Sequence, residues 1–143
     1  MNIGNIPTRN AIQYPDKVAL IFEGERWTWR QFDGRVNRLA QALIGLGLKK
    51  GDKVAILTEN VPAIVEANYA CAKAGLVYFP VMSRLVPKDI EHLVDLSDAR
   101  VLIFHPDFKP AVEAMRPALP KVSTWLQIGG DVPPWAGAYE AFL

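Results

Sequence analysis

The sequence predicts an α/β fold, in which a parallel sheet carries helices on both faces. Four short runs of apolar, mostly β-branched or aromatic residues predict strands at 54–57, 76–81, 101–104 and 125–128. Segments with helical character fill the intervals between them. Strands that are apolar throughout and alternate with helices are typical of a sheet buried on both sides.

The helices between these strands are predicted at 62–74, 87–96 and 110–118. Their alternation with strands favours right-handed crossover connections. The predicted architecture is therefore a flavodoxin- or Rossmann-like sheet.

An N-terminal β-hairpin and helix are predicted ahead of this alternating part. Two β-rich runs, 18–22 and 26–29, flank a turn that contains Gly24. Thr28 and Gln31 have the spacing of a capping box, which marks the start of a helix. Apolar residues then recur at helical spacing, at Phe32, Val36, Leu39, Ala40 and Leu43.

The chain has 143 residues, enough for one domain with a sizeable core. The segment 129–137 is rich in glycine and proline and is predicted to be linker-like. The residues after it are predicted to begin another helix.

Composition excludes several classes of partner. Sixteen basic and 15 acidic residues give a net charge of +1, which provides no electrostatic basis for binding nucleic acid. No apolar run approaches the roughly 18 residues of a transmembrane helix. The N-terminus has neither the basic start nor the long apolar core of a signal peptide. Cys71 is the sole cysteine, in an apolar stretch, and is predicted to be a core residue of a cytoplasmic protein.

Ligands of open parallel sheets bind outside the carboxyl ends of the strands. Four groups of residues follow the predicted strands: Thr58-Glu59-Asn60, Met82-Ser83-Arg84, His105-Pro106-Asp107 and Gly129-Gly130-Asp131.

Each group has a functional and a structural interpretation. Ser83 and Arg84 have the chemistry to contact an anion, although Arg84 has possible ion-pair partners in the next helix, Asp89 and Glu91. Thr58 and Asn60 are explained by helix capping. Glu59 has the chemistry of a base, but no second titratable group stands beside it in sequence.

His105 has Asp107 close enough in sequence to orient its imidazole, but a surface role is favoured. His92 and His105 lack the further ligands that a zinc site needs. Gly129-Gly130 precedes two prolines where a phosphate loop would have a helix start. The residues alone therefore predict a scaffold without a recognisable catalytic site.

The order of short motifs along the chain is more specific than any one motif. The ordered set is Thr28-Trp29, Asn37-Arg38-Leu39-Ala40, Lys50 through Ile56, Lys73-Ala74-Gly75 and Pro80-Val81. This set resembles the start of the adenylate-forming enzymes, the acyl- and aryl-CoA ligase family. The similarity continues through 83–103, so it covers nearly the whole chain.

The resemblance implies a reaction and a set of cofactors. These enzymes use ATP and Mg²⁺ to convert a carboxylic acid into an acyl-AMP, and then pass the acyl group to a thiol, commonly that of coenzyme A. The family's phosphate-binding loop normally follows a segment like 139–143 by a few tens of residues. The chain is therefore expected to be the first subdomain of a longer ligase, to be inactive alone and to bind no cofactor by itself.

The resemblance also bears on the group after the second strand. Met82 stands where the family often has asparagine, and Arg84 keeps the matching arginine. Ser83 and Arg84 are therefore expected to lie near the substrate without being catalytic. Val86 replaces a Thr or Ser that often caps the next helix, which weakens that helix start by roughly 1 kcal/mol.

An interaction or regulatory module that keeps the scaffold without catalysis remains an alternative. It predicts a folded monomer or homodimer without a large exposed apolar patch. A subdomain of a longer ligase would instead expose apolar surface to the downstream part of its polypeptide and tend to self-associate.

Overall fold

The structure is a computed structural model and describes residues 2–143. It contains seven strands and five α-helices in that range. The strands are β1 Val18–Phe22, β2 Glu25–Thr28, β3 Lys53–Leu57, β4 Val77–Val81, β5 Val101–Phe104, β6 Thr124–Gln127 and β7 Gly137–Ala138. The helices are α1 Asn5–Gln13, α2 Trp29–Gly45, α3 Pro62–Ala74, α4 Pro87–Ser97 and α5 Lys109–Met115. Three short 3₁₀ segments are Pro106–Phe108, Arg116–Ala118 and Tyr139–Phe142.

The central sheet has five parallel strands in the order β4-β3-β5-β6-β7. The sequence-adjacent strands β3 and β4 pair with each other, whereas β5 pairs on the opposite side of β3. Since the strand order reverses there, the topological switch point lies between β3 and β5. The expected parallel sheet is thereby confirmed, and the structure shows that its strand order is the flavodoxin-like one.

Each face of the sheet buries its own apolar core. One core joins β3 and β5 to α2 and α3, and includes the buried Leu39, Ile56 and Ile103. The other joins the same strands to α4 and α5, and includes Leu57 and Phe104. Successive residues of a strand point to opposite faces, which is why strands that are almost entirely apolar can serve both cores.

The hairpin and the start of α2 follow the predicted local chemistry. The N–H of Thr28 donates to Gln31 Oε1 at 2.9 Å, and the N–H of Gln31 donates to Thr28 Oγ1 at 3.3 Å. This capping box makes Trp29 the first residue of α2, so β2 ends one residue before the predicted strand does. At the other end, Leu46 is the C-cap of α2, and Gly47 after it adopts a φ of 81°.

Polar contacts hold α1 against α2 and α3. Lys73 Nζ donates to Asp33 Oδ1 at 2.7 Å and to Thr8 Oγ1 at 2.6 Å. Gly4 lies so close to Lys73 that an added Cβ would come within 2.7 Å of the Lys73 backbone nitrogen. A single lysine therefore links three helices.

The C-terminal part contains a strand that the sequence did not predict. Beyond the irregular connection that follows β6, Gly137 and Ala138 form β7, and the buried Tyr139 follows directly. Within that connection, Trp135 stacks on Phe104 with ring centroids 5.6 Å apart. Two residues are too few for a recognisable strand pattern, so β7 is defined by its pairing with β6.

None of the helices in the described range is sufficiently long and apolar to span a membrane. Cys71 is fully buried, as predicted, and its burial raises the pKa of its thiol to about 12.

Candidate functional site at the carboxyl edge of the sheet

All four predicted ligand groups lie at one edge of the sheet, because its five strands are parallel. Thr58 follows β3 and His105 follows β5, so these two residues flank the switch point. The N–H of His105 donates to the carbonyl oxygen of Leu57 at 3.0 Å, which extends the pairing to this edge. A switch point is where open α/β sheets usually place a ligand.

The structure brings Glu59 and Ser83 together at the ends of β3 and β4. Ser83 Oγ donates to Glu59 Oε1 at 3.2 Å. Arg84 is exposed and makes no ion pair with Asp89 or with Glu91 among residues 2–143, and Lys88 Nζ instead lies 3.0 Å from Glu91 Oε1. The ion-pair interpretation of Arg84 is therefore wrong, and its guanidinium is left facing solvent.

The capping interpretation of Thr58 and Asn60 is also wrong. The residue before α3 is Val61, in an extended conformation, and no side chain caps that helix. Pro62 occupies the first helical position, where its fixed φ suits the helix and an N–H is not needed. Thr58 is buried, and its Oγ1 has no hydrogen-bond partner within the described residues.

His105 begins a short 3₁₀ turn. Its Nδ1 accepts from the N–H of Asp107 at 3.3 Å, and the same nitrogen lies 3.3 Å from Asp107 Oδ2. The bond from the Asp107 N–H orients the ring, so Asp107 acts on it through its backbone.

The Gly129-Gly130 turn does not start a helix. Both glycines adopt positive φ, and the buried Gln127 holds the turn by donating Nε2 to the carbonyl oxygens of Gly129 at 2.8 Å and Asp131 at 3.0 Å. The Gln127 side chain thus binds the turn through its carbonyl oxygens and holds it against the sheet.

A cleft of about 400 Å³ opens beside this edge, between the hairpin, the start of α3 and the C-terminal segment. It combines apolar and polar side chains. The apolar lining is Phe22, Trp27, Val61, Pro62, Ala63 and Ile128. The polar lining is Arg35, Glu66, His105, Tyr139 and Glu140.

A hydrogen-bonded network forms the polar floor of the cleft. Arg35 of α2 donates to Glu66 of α3 through Nε and, at 3.3 Å, through Nη2. It also donates to both carboxylate oxygens of Glu140, at 2.9 and 3.1 Å. Tyr139 completes the network by donating its hydroxyl to Glu66 Oε2 at 2.6 Å. Four side chains thereby join α2, α3 and the C-terminal 3₁₀ turn.

The electrostatics of this floor follow from burial and charge. The side chain of Glu66 is only 2 % exposed, whereas that of Glu140 is 58 % exposed. Burial, together with the adjacent Glu66 carboxylate, raises the pKa of Tyr139 well above its ordinary value. Burial alone would lower the pKa of Arg35, but its bonds to Glu140 and Glu66 raise it overall. With one arginine and two glutamates, the network carries a formal net charge of −1.

Sequence reasoning missed this network, although Glu66 carries a signal. It lies among Ala63, Ala67 and Ala70 on the buried face of α3. A charged residue at a core position is almost always paired, so its position alone could have prompted a search for a cation.

The start of α3 lacks the usual features of a phosphate-binding loop. Pro62 removes an N–H at the start of α3, the turn before it contains no glycine, and Glu59 adds negative charge. Within residues 2–143 no three His, Cys, Asp or Glu side chains are grouped so that they could hold a metal ion.

The comparisons with known proteins identify the family. A family model described as AMP-binding enzyme matches residues 7–141, and the chain therefore belongs to this family. It is 36 % identical over 113 residues to a feruloyl-CoA synthase of Amycolatopsis sp, covering 79 % of this chain and 23 % of that protein. It is 35 % identical over 133 residues to a medium/long-chain-fatty-acid–CoA/3-oxocholest-4-en-26-oate–CoA ligase of Mycobacterium marinum, covering 92 % of this chain and 24 % of that one.

Solved structures agree with this assignment. An anthranilate CoA ligase, AuaEII, in complex with anthranoyl-AMP superposes with a TM-score of 0.94 at 28 % identity, over 99 % of this chain and 27 % of that one. A fatty acyl CoA synthetase of Mycobacterium tuberculosis gives a TM-score of 0.84 at 29 % identity, over 89 % and 26 %. The chain thus spans about a quarter of the length of the relatives that it matches.

Proposed function

We propose that this chain is the N-terminal part of an ATP-dependent acyl-CoA ligase. The whole enzyme would activate a carboxylic acid as an acyl-AMP and transfer the acyl group to coenzyme A. The observation that carries the proposal is the close superposition of almost the entire chain on about a quarter of much longer CoA ligases. Such a reaction activates the acid because the acyl carbon then carries AMP, a good leaving group, where the free acid would have to release hydroxide, a poor one.

The 143-residue chain is proposed to be inactive by itself. Its carboxyl edge has no glycine turn at a helix start and no cluster of metal ligands among the described residues, so it lacks a place for ATP and Mg²⁺. ATP, Mg²⁺ and coenzyme A would be bound largely by downstream residues of the same polypeptide. A cytoplasmic location and self-association of the isolated chain remain part of the proposal.

Ser83 and Arg84 are proposed to lie beside the substrate. Both follow β4 at the carboxyl edge, and the hydrogen bond from Ser83 to Glu59 ties their loop to the end of β3. Arg84 is exposed and free of ion pairs among residues 2–143, which leaves its guanidinium available to an anionic group.

The first test compares the purified 143-residue chain with the product of the complete reading frame. Each is incubated with ATP, Mg²⁺ and a panel of short, fatty and aromatic acids, and acyl-AMP and acyl-CoA are measured by mass spectrometry. Products should form only with the longer protein. Acyl-AMP formed by the 143-residue chain would refute its proposed inactivity.

The second test addresses Arg84 in the longer protein. Arg84→Ala should raise KM for the acid or for coenzyme A with little change in folding. Arg100→Ala is the matched control, because Arg100 is also exposed but lies at the amino edge of the sheet. Equal KM and kcat for the two variants would show that Arg84 does not lie beside the substrate.

The alternative function is an interaction or regulatory module without catalysis. Its favouring observation is that both faces of the sheet already have closed apolar cores within this chain. A native product that ends at Leu143 in the source cells, measured with an antibody against the chain, would favour this module over the ligase.

A further inference from the structure

A continuous apolar surface leads from the hairpin into the cleft. A groove of about 270 Å³ lies between the hairpin and α3, and it shares Phe22, Val61 and Pro62 with the cleft. This hairpin groove is lined by Leu20, Ile21, Phe22, Asn60, Val61, Pro62, Ile64 and Val65.

The hairpin beside this groove is covered on one side only. β1 and β2 form a separate two-stranded sheet whose Ala19 and Leu20 pack on the core, whereas Val18 and Ile21 are 45 % and 56 % exposed. A two-stranded hairpin is at best marginally stable in water unless another layer packs on it. The exposed Ile21 is part of the groove's lining, so this side of the hairpin calls for a covering segment.

The cleft adds a charge requirement. Arg35 balances only one of the two carboxylates that it binds, and Glu140 is the more exposed of them. A basic side chain beside Glu140 would neutralise the floor of the cleft, whereas an acidic one would be repelled.

We propose that the hairpin groove and the cleft are covered by the polypeptide that follows Leu143 in the longer ligase. This segment places apolar residues in the groove and one Lys or Arg side chain beside Glu140. The inference rests on the proposed function. Glu140 lies three residues before Leu143 in a 3₁₀ turn. A continuing chain would therefore start roughly 6 Å from Glu140, beside the cleft.

The experiment is amide hydrogen exchange on the 143-residue chain and on the product of the complete reading frame. Exchange of the amides at 18–28 and 63–66 should be at least about tenfold slower in the longer protein. In the longer protein, Ile21→Ser and Glu140→Gln should each make these amides exchange faster, towards the rate in the short chain.

Matched controls lie on the other face of the sheet. Leu96→Ser removes an exposed apolar side chain from α4, and Glu113→Gln removes an exposed carboxylate from α5. Neither should change exchange at 18–28 or 63–66.

The outcomes separate this inference from the proposed function. A longer protein that forms acyl-CoA but exchanges the groove amides as fast as the short chain overturns the inference and leaves the ligase intact. If exchange is slowed in the longer protein but Glu140→Gln does not alter it, no Lys or Arg lies beside Glu140, and that part of the inference is overturned. Groove protection in the longer protein that rises with its concentration assigns the surface to a second copy and overturns the inference. Absence of any longer product overturns both the inference and the proposed function.

Discussion

Replacing Arg35 with methionine should destabilise the chain strongly, because it leaves the buried carboxylate of Glu66 without a cation. Arg35 is the one cation that contacts Glu66 among residues 2–143, and the Glu66 side chain is 2 % exposed. Methionine retains the apolar stem of the side chain, so that the lost charge dominates the effect.

The magnitude follows from the burial of the two partners. Removing one member of a buried ion pair costs about 3–5 kcal/mol. Tyr139 still donates to Glu66 Oε2 in the variant, which places the expected loss near the lower end, at about 3 kcal/mol. For a chain of 143 residues this corresponds to a decrease in Tm of roughly 10 °C.

Urea denaturation followed by circular dichroism measures this loss. Glu140→Gln is the matched control, because its carboxylate binds the same arginine but its side chain is 58 % exposed. It should cost at most about 1 kcal/mol. The double variant Arg35→Met/Glu66→Met should be more stable than Arg35→Met alone, since it removes the stranded charge along with its partner.

Two results would refute this reasoning. One is an Arg35→Met chain that unfolds within about 1 kcal/mol of the parent sequence, which is the range of an exposed pair. The other is a double variant less stable than the single one, which would mean that packing of the Glu66 stem, rather than its charge, decides the effect.

Three further predictions concern other parts of the chain. The neutral Cys71 thiol is favoured in the folded state, where its pKa is about 12 against 9.0 ordinarily. The free energy of unfolding therefore falls as pH rises above 9, by about 1 kcal/mol at pH 10. Urea midpoints between pH 7.5 and 10 measure this fall, and Cys71→Ala should reduce it. Gly4→Ala should cost about 1–3 kcal/mol in urea denaturation and speed amide exchange in α1, because the new Cβ meets the Lys73 backbone. Thr28→Ala should cost about 1 kcal/mol of unfolding free energy, since it removes the capping box of α2.

Each of these has its own control. Tyr139 also has a raised pKa, so that Cys71→Ala should remove only part of the alkaline decline; an unchanged decline would contradict the role of the thiol. Gly45→Ala is the counterpart of Gly4→Ala, because nothing lies within 4 Å of its added Cβ, and it should be neutral or slightly stabilising. Gln31→Ala is the counterpart of Thr28→Ala, because it removes the other capping bond, from the Thr28 N–H to Gln31 Oε1, and keeps the Thr28 side-chain cap; it should also destabilise the chain.

Local patterns were sufficient where neighbouring residues determine the structure. The capping box at Thr28 sets the start of α2, and α3 has the predicted bounds from Pro62 to Ala74. The helix predicted at 110–118 instead ends at Met115 and continues as a 3₁₀ turn, because Pro117 supplies no N–H to the carbonyl four residues earlier. In each case the deciding contact is within one or two helical turns.

The sequence by itself determined the α/β class, the parallel sheet, the hairpin and the resemblance to CoA ligases. It could do so because apolar periodicity, caps and short ordered motifs act over neighbouring residues. The tertiary structure alone decided that β7 pairs with β6, that Ser83 contacts Glu59, and that Arg35 and Glu66 meet Tyr139 and Glu140. Arg35 and Glu140 are 105 positions apart. No local pattern encodes such a pairing, because folding of the whole sheet is what removes water from between these side chains and brings them within hydrogen-bonding distance.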